Sequence, residues 1–249
     1  MAKASRGEEL RSSDERVWGP VILQAAESIV VHGIDLNVED EVETYWDIVF
    51  ANSYQYAVEE FADRADERLD ETAAALAQVL SRGWLGSADV VSPQGVFSDS
   101  ITLRATQIEN PEDDLYGDKP LGAFWTSSYL PNGDSAWSRS EKSEFASLNR
   151  KLRNFTFRLP PPRDIFIIRY PEDYRRLVAD YPRKLQNGRT VVDWRRASDD
   201  YMAVRLTACG LALAHHFRVV TPAGVAWLSG WDAESTAWLH LPCNADLDN

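Results

Sequence analysis

The chain has 249 residues and carries 39 Asp and Glu against 26 Lys and Arg, a formal charge of -13. That balance speaks against a protein that grips a phosphate backbone by bulk attraction, and no apolar run approaches the ~20 residues that cross a bilayer. Hydrophobic residues make up 44% and nine are Trp, which allows one large domain or two modest ones with a sizeable core.

The charge is unevenly placed. Residues 1–80 hold 18 acidic against 6 basic side chains, whereas residues 81–249 hold 21 against 20. Residues 1–16 are polar, lack the apolar middle of a signal peptide and are expected to be mobile. The expected location is therefore the cytoplasm, without a membrane partner. From Val17 to Val31 the apolar positions Val17, Ile22, Ala25, Ile29 and Val30 recur at helical spacing. Asn37-Val-Glu-Asp opens a second helical stretch that reaches about Leu80, with Val42, Tyr45, Trp46, Val49, Tyr56, Phe61 and Leu69 on its apolar side. Gly83 and Gly86 end it, and SADVVSPQG reads as a connector. The domain boundary falls near residue 90, giving an acidic helical module over 1–89 and a second domain over 90–249.

Beyond that boundary short β-type runs are expected at Ile101–Thr106, Ala123–Ser128, Asn154–Leu159, Ile165–Arg169, Tyr201–Thr207, Phe217–Val220, Val225–Leu228 and Ser235–Leu241. One helix is expected from Ser135 to Leu152. Another starts at Pro171, with Glu172 and Asp173 in its first turn. Pro160–Pro162 marks a sharp loop and Asn187-Gly188 a turn. Strands and helices do not alternate regularly, so the fold class is α+β. Locally basic pairs such as Arg175-Arg176 and Arg195-Arg196 leave room for one small anionic ligand.

Common chemical signatures are missing: there is no G-x-G-x-x-G, Walker loop, G-x-S-x-G or H-E-x-x-H. Cys209 and Cys243 have neither metal-pair spacing nor the look of a disulfide framework. His215 and His216 are adjacent; in a strand they point to opposite faces, so one is expected partly buried, one exposed, and no metal is expected.

Three segments stand out together. Ser100-Ile-Thr-Leu-Arg-Ala-Thr106 ends a run in an arginine and small residues. Pro120-Leu-Gly-Ala-Phe-Trp-Thr-Ser-Ser128 is followed by Gly133-Asp-Ser-Ala-Trp137. Trp231-Asp-Ala-Glu-Ser-Thr-Ala-Trp238 places Glu234 before the last expected strand. Over roughly residues 97–241, this order resembles the ADP-ribosyltransferase superfamily, compact members more than large toxins. The resemblance implies a cleft between two small antiparallel sheets that binds NAD as substrate. It implies Glu234 as the catalytic carboxylate at the ribose, with Arg104 and Thr106 on the NAD-binding strand. It further implies Trp125 or Tyr129 stacking on nicotinamide, and Thr126, Ser127 or Ser128 bonding the ribose or holding Glu234.

The chemistry suits those residue types. Cleaving the nicotinamide–ribose bond builds positive charge on the sugar, which a carboxylate stabilises, and a guanidinium matches a pyrophosphate. Asp232 stands two residues before Glu234, where arginine-modifying relatives carry Glu or Gln, so the macromolecular or small-molecule acceptor stays open. Each element also has a plain structural reading: Arg104 as a surface residue, the tryptophans as core, Glu234 as a strand-end acid. The expected function is an NAD-dependent mono-ADP-ribosyltransferase or NAD glycohydrolase. The alternative is a non-catalytic binding module whose acidic helices dock a partner protein. In a third reading the acidic part masks a basic partner or the protein's own NAD cleft.

Overall fold

The computed structural model describes residues 18–36, 40–53, 67–100, 102–113, 117–143, 148 and 150–248. The expected mobile start over 1–16, and the middle of the second helical stretch with Tyr56 and Phe61, lie outside the described residues.

Among the described residues three helices come first: α1 (Pro20–His32), α2 (Glu41–Ser53) and α3 (Glu67–Val79). Pro20 suits the first turn of α1, and Gly33 closes it in the left-handed region at φ 66°. Asp40 starts α2 by accepting from the amides of Val42 (2.8 Å) and Glu43 (3.0 Å).

The α-helices and strands that follow among the described residues are β1 (Gln94–Ser98), β2 (Phe124–Thr126), α4 (Ser138–Ser143), β3 (Lys151–Thr156), β4 (Ile165–Ile168), α5 (Pro171–Asp180), β5 (Pro182–Lys184), β6 (Thr190–Val192), α6 (Trp194–Asp200), β7 (Ala203–Leu206), α7 (Ala208–Leu213), β8 (Val219–Thr221), β9 (Gly224–Ala226), β10 (Ser235–Trp238) and β11 (Asp246–Asp248). The class is α+β. Among the described residues no helix is long and apolar enough to cross a membrane.

Two larger sheets organise the fold. One is three-stranded and antiparallel, in the order β1-β3-β11; the other has the order β2-β10-β7-β4. The second is mixed, because β4 and β7 run parallel while the β10 pairings are antiparallel. This departs from the expectation of two antiparallel sheets. A parallel pair needs a long crossover, and α5, the β5–β6 hairpin and α6 supply it. The sheets touch where Gly95 and Ser127 exchange backbone hydrogen bonds of 2.8 and 2.9 Å.

Register sorts the side chains of the four-stranded sheet. Thr126, Thr236 and Arg205 stand in one cross-strand row, with Phe124, Trp238 and Ala203 in the next. This face looks toward the three-stranded sheet, where Trp238 packs with Phe155, Phe157, Val96 and Leu247. The other face carries Val204, Leu206, Ala237 and Phe166 against helices. Strands β7 and β10 are buried along their whole length, which is why their sequences do not alternate.

The acidic segment is not a separate packing unit. Val21, Ile22, Ala25 and Ile29 of α1, with Tyr45 and Ile48 of α2, belong to the same core as Val204, Leu206, Leu211 and Ala237. The division near residue 90 is one of charge, because Glu43, Glu67, Asp70 and Glu71 are exposed while the apolar faces point inward. Buried α7 sits beneath α1 and α2. It starts at Thr207, whose hydroxyl accepts from the Gly210 amide (2.9 Å). Gly210 lies so close to β4 that a Cβ there would stand 2.2 Å from the Ile168 carbonyl oxygen.

Several expected boundaries shift. Residues 102–106 form no strand; the five-residue ladder of Gln94–Ser98 with β3 takes that place, drawn from the stretch expected as a connector. Of the helix expected over 135–152 the described residues show Ser138–Ser143, residues 144–147 and 149 lie outside the described residues, and β3 begins at Lys151. His215 and His216 follow α7 and do not lie in a named strand. Neither is exposed, since His215 is fully buried and His216 half-buried.

Candidate functional site: a cleft where the two sheets part

Strands β1 and β2 meet at the Gly95–Ser127 bridge and then diverge. A cleft of about 440 Å³ lies in the opening, within the range of small-molecule sites. Val96, Phe97 and Ser98 line it from the three-stranded sheet; Phe124, Trp125 and Ser235 line it from the four-stranded one. Trp137 just before α4, Glu141 within it and Arg150 ahead of β3 also line it, as do Lys119, Trp231 and Asp232. Trp125 meets Trp231 edge to face at 4.7 Å between ring centroids.

The charged groups are individually supported. Lys119 Nζ donates to the Gly230 carbonyl (3.1 Å). Arg150 Nη2 pairs with Glu141 Oε1 at 2.5 Å. Burial raises the Glu141 carboxyl above its ordinary value, and Arg150 opposes that rise. Asp232 keeps solvent contact, yet the surrounding cleft walls raise its carboxyl, with Lys119 opposing.

Behind the cleft wall lies a second polar group. Glu234 is 1% exposed and immediately precedes β10; its Oε1 pairs with Arg205 Nη1 at 2.5 Å. Ser128 donates to the same carboxylate through its amide (2.8 Å, Oε2) and hydroxyl (3.2 Å, Oε1). Arg205 Nη1 also reaches Thr236 Oγ1 at 3.3 Å, and Gln94 Nε2 donates to that oxygen at 3.4 Å. Thr126 donates to Gln94 Oε1 and accepts from Trp238 Nε1 (2.9 Å). The result is a buried hydrogen-bonded seam between the sheets. It extends into the helices, because the Glu234 amide donates to Tyr45 Oη (3.1 Å), which donates to the Ala136 carbonyl (3.0 Å). Burial, then the Glu234 charge, raises Tyr45 well above the ordinary phenol value.

The sequence-predicted residues divide accordingly. Trp125 lines the cleft. Thr126, Ser128 and Glu234 join the buried seam, while the Ser127 hydroxyl bonds that of Ser135 (2.6 Å). Tyr129 Oη donates to Asn154 Oδ1 (2.6 Å). Thr106 is held by the Leu239 carbonyl (2.6 Å), and Arg104 is exposed on an irregular stretch. Neither Arg104 nor Glu234 is among the residues lining the cleft. The guanidinium beside Glu234 comes from Arg205, inside the run Ala203-Val-Arg-Leu206. A charge in the middle of an apolar strand was the signal that could have found it.

Trp231 is fixed from three sides. Asn52 Nδ2 donates to its carbonyl (3.0 Å), its amide donates to His215 Nε2 (3.1 Å), and its indole donates to the Asp118 carbonyl (3.1 Å). His215 must stay neutral at Nε2 to accept. Burial, followed by the neighbouring His216, Lys119 and Arg189, holds it well below the ordinary histidine value. Burial, then Arg189, holds His216 down to about 4.

Both folded-state values lie below the unfolded value of about 6.5, so the stabilisation is present above that pH and is lost as pH falls below it. Stability should drop by up to about 1.4 kcal/mol per pH unit for each histidine that stays unprotonated in the fold. A His215→Gln/His216→Asn variant keeps an acceptor for Trp231 and suits the φ of 60° at residue 216. Urea midpoints at pH 7 and pH 5 should differ less for this variant than for the wild type.

Comparison with protein-family models, with curated proteins and with solved structures finds no match in any of the three.

Proposed function

We propose that the protein binds NAD in the cleft between the two sheets and cleaves the nicotinamide–ribose bond there, passing ADP-ribose to water or to an acceptor. The observation that supports this reading is the cleft at the β1–β2 divergence, which gathers Trp125, Trp137, Lys119 and Asp232. Indole faces suit the flat nicotinamide and adenine rings. An ammonium group suits the pyrophosphate. A carboxylate opposes the positive charge that develops on the ribose.

We assign that last role to Asp232, because both Glu234 oxygens are engaged by Arg205 and Ser128. As the C1′–N bond breaks, its electron pair leaves with neutral nicotinamide. The nucleophile oxygen bonds C1′ and gives up its proton.

Calorimetry with NAD and chromatography of released nicotinamide test the reading. Trp125→Ala should weaken NAD binding about tenfold, and Asp232→Asn should slow nicotinamide release roughly 100-fold. A wild-type protein with no NAD binding would end the proposal. A second reading, binding without turnover, draws support from the engagement and burial of Glu234. It predicts saturable NAD binding with no nicotinamide released.

A further inference from the structure

The cleft holds a second carboxylate for which the function proposed above has no use. Glu141 lies in α4 and its amide bonds the carbonyl of Trp137, the residue just before that helix (3.0 Å), so both reach the cleft from the start of α4. Its side chain is only 9% exposed, against 30% for its partner Arg150. Arg150 engages Oε1 (2.5 Å). Glu141 and Asp232 thus line one aromatic cavity from opposite parts of the chain, α4 and the segment before β10.

We propose that Glu141 is the general base of this cleft, taking the proton from the water or acceptor hydroxyl that attacks the ribose. The inference rests on the NAD-cleaving reading and adds a residue to it. The reaction balances without any further reagent. The nucleophile oxygen forms its bond to C1′, its proton passes to a Glu141 carboxylate oxygen, and the C1′–N electron pair departs with nicotinamide. No acid is needed for the leaving group, since pyridinium nitrogen becomes neutral on departure. Asp232 and Glu141 then have separate tasks, one facing the developing charge and the other the nucleophile.

The surroundings suit a base. Burial of Glu141 raises its proton affinity, while Arg150 beside it opposes that rise and favours the carboxylate. Removing Arg150 should therefore raise the pH at which the base becomes protonated.

The test is a pH profile of nicotinamide release from NAD for wild type, Glu141→Gln and Arg150→Met, with ADP-ribose binding measured on each. Glu141→Gln should lower kcat about 100-fold and abolish the acid limb, while the Kd for ADP-ribose changes by less than about threefold. Arg150→Met should shift the acid limb to higher pH. Glu141→Gln turnover within about threefold of wild type, or an acid limb unmoved by Arg150→Met, would overturn the base assignment and leave the NAD reading intact. A wild-type protein that binds ADP-ribose but releases no nicotinamide would overturn both.

Discussion

Replacing Arg205 with methionine should lower the unfolding free energy by about 3–5 kcal/mol, read as a shift in the urea midpoint at pH 7. Arg205 is 3% exposed and Glu234 1%, so the substitution leaves the buried Glu234 carboxylate without the guanidinium that pairs with it. The two donors of Ser128 remain but do not neutralise it. The opposite deletion, Glu234→Leu, strands a guanidinium between the sheets and should cost a similar amount. Making both changes together should recover most of the loss, since replacing a buried pair by apolar groups of similar volume is often close to neutral. This cycle separates the pair from the chemistry in the cleft, whose lining does not include either residue. A single Arg205→Met variant within about 1 kcal/mol of wild type would show that the pair is not buried as described.

Asp118→Ala should be comparably costly. Asp118 is 1% exposed and receives hydrogen bonds from Tyr174 Oη (2.6 Å), Trp194 Nε1 (2.9 Å) and the Val192 amide (3.1 Å). Truncation leaves these buried donors without an acceptor, at about 1–3 kcal/mol each, so a total of about 4 kcal/mol is expected from the three. The backbone carbonyl of residue 118, which holds the Trp231 indole, is kept in this variant. Asp118→Asn should cost far less, since one oxygen remains for Trp194 and Val192, and the Tyr174 hydroxyl can accept from the new amide.

The pH dependence follows from the same geometry. Burial raises the Asp118 carboxyl above its ordinary value, outweighing the hydrogen bonds from Tyr174 and Val192, the Arg189 charge and the Trp194 bond. A raised native value means that the fold binds this proton more tightly than the unfolded chain. The contribution is fully present below about pH 3.9 and is lost as pH rises through the native value. Asp118→Asn should therefore be relatively less stable than wild type at acid pH than at neutral pH.

Much of the fold was legible in the sequence where local pattern and tertiary demand agree. Pro171 with Glu172 and Asp173 marked the start of α5, and the Asp173 carboxylate accepts from the Arg169 and Tyr170 amides (3.0 Å each). Strands β2, β4, β7 and β10 lie inside runs expected as strands. The misses have physical causes. Gln94–Ser98 contains glycine and follows a proline, which reads as a connector, yet Gly95 is where a second sheet approaches closely. Ala208–Leu213 is a short apolar helix, too brief to be told from a strand by periodicity. The parallel pairing of β4 with β7 is a long-range choice that no local pattern encodes.

The site was legible in part. Trp125 could be singled out from its setting, and Ser128 and Glu234 do come together. Their distance from solvent, and the pairing with Arg205 across 29 residues of sequence, depend on strand register. Glu141 carried no signal in the sequence, and Asp232 stood out only by its place two residues before Glu234; the divergence of β1 from β2 brings the two to one cavity.

The most direct test of the cleft assignment is a crystal structure of the protein with a non-cleavable NAD analogue. The expected result is the analogue's nicotinamide against Trp125, with its ribose facing Asp232 and Glu141. Analogue bound elsewhere, or a cleft left empty at saturating concentration, would contradict it.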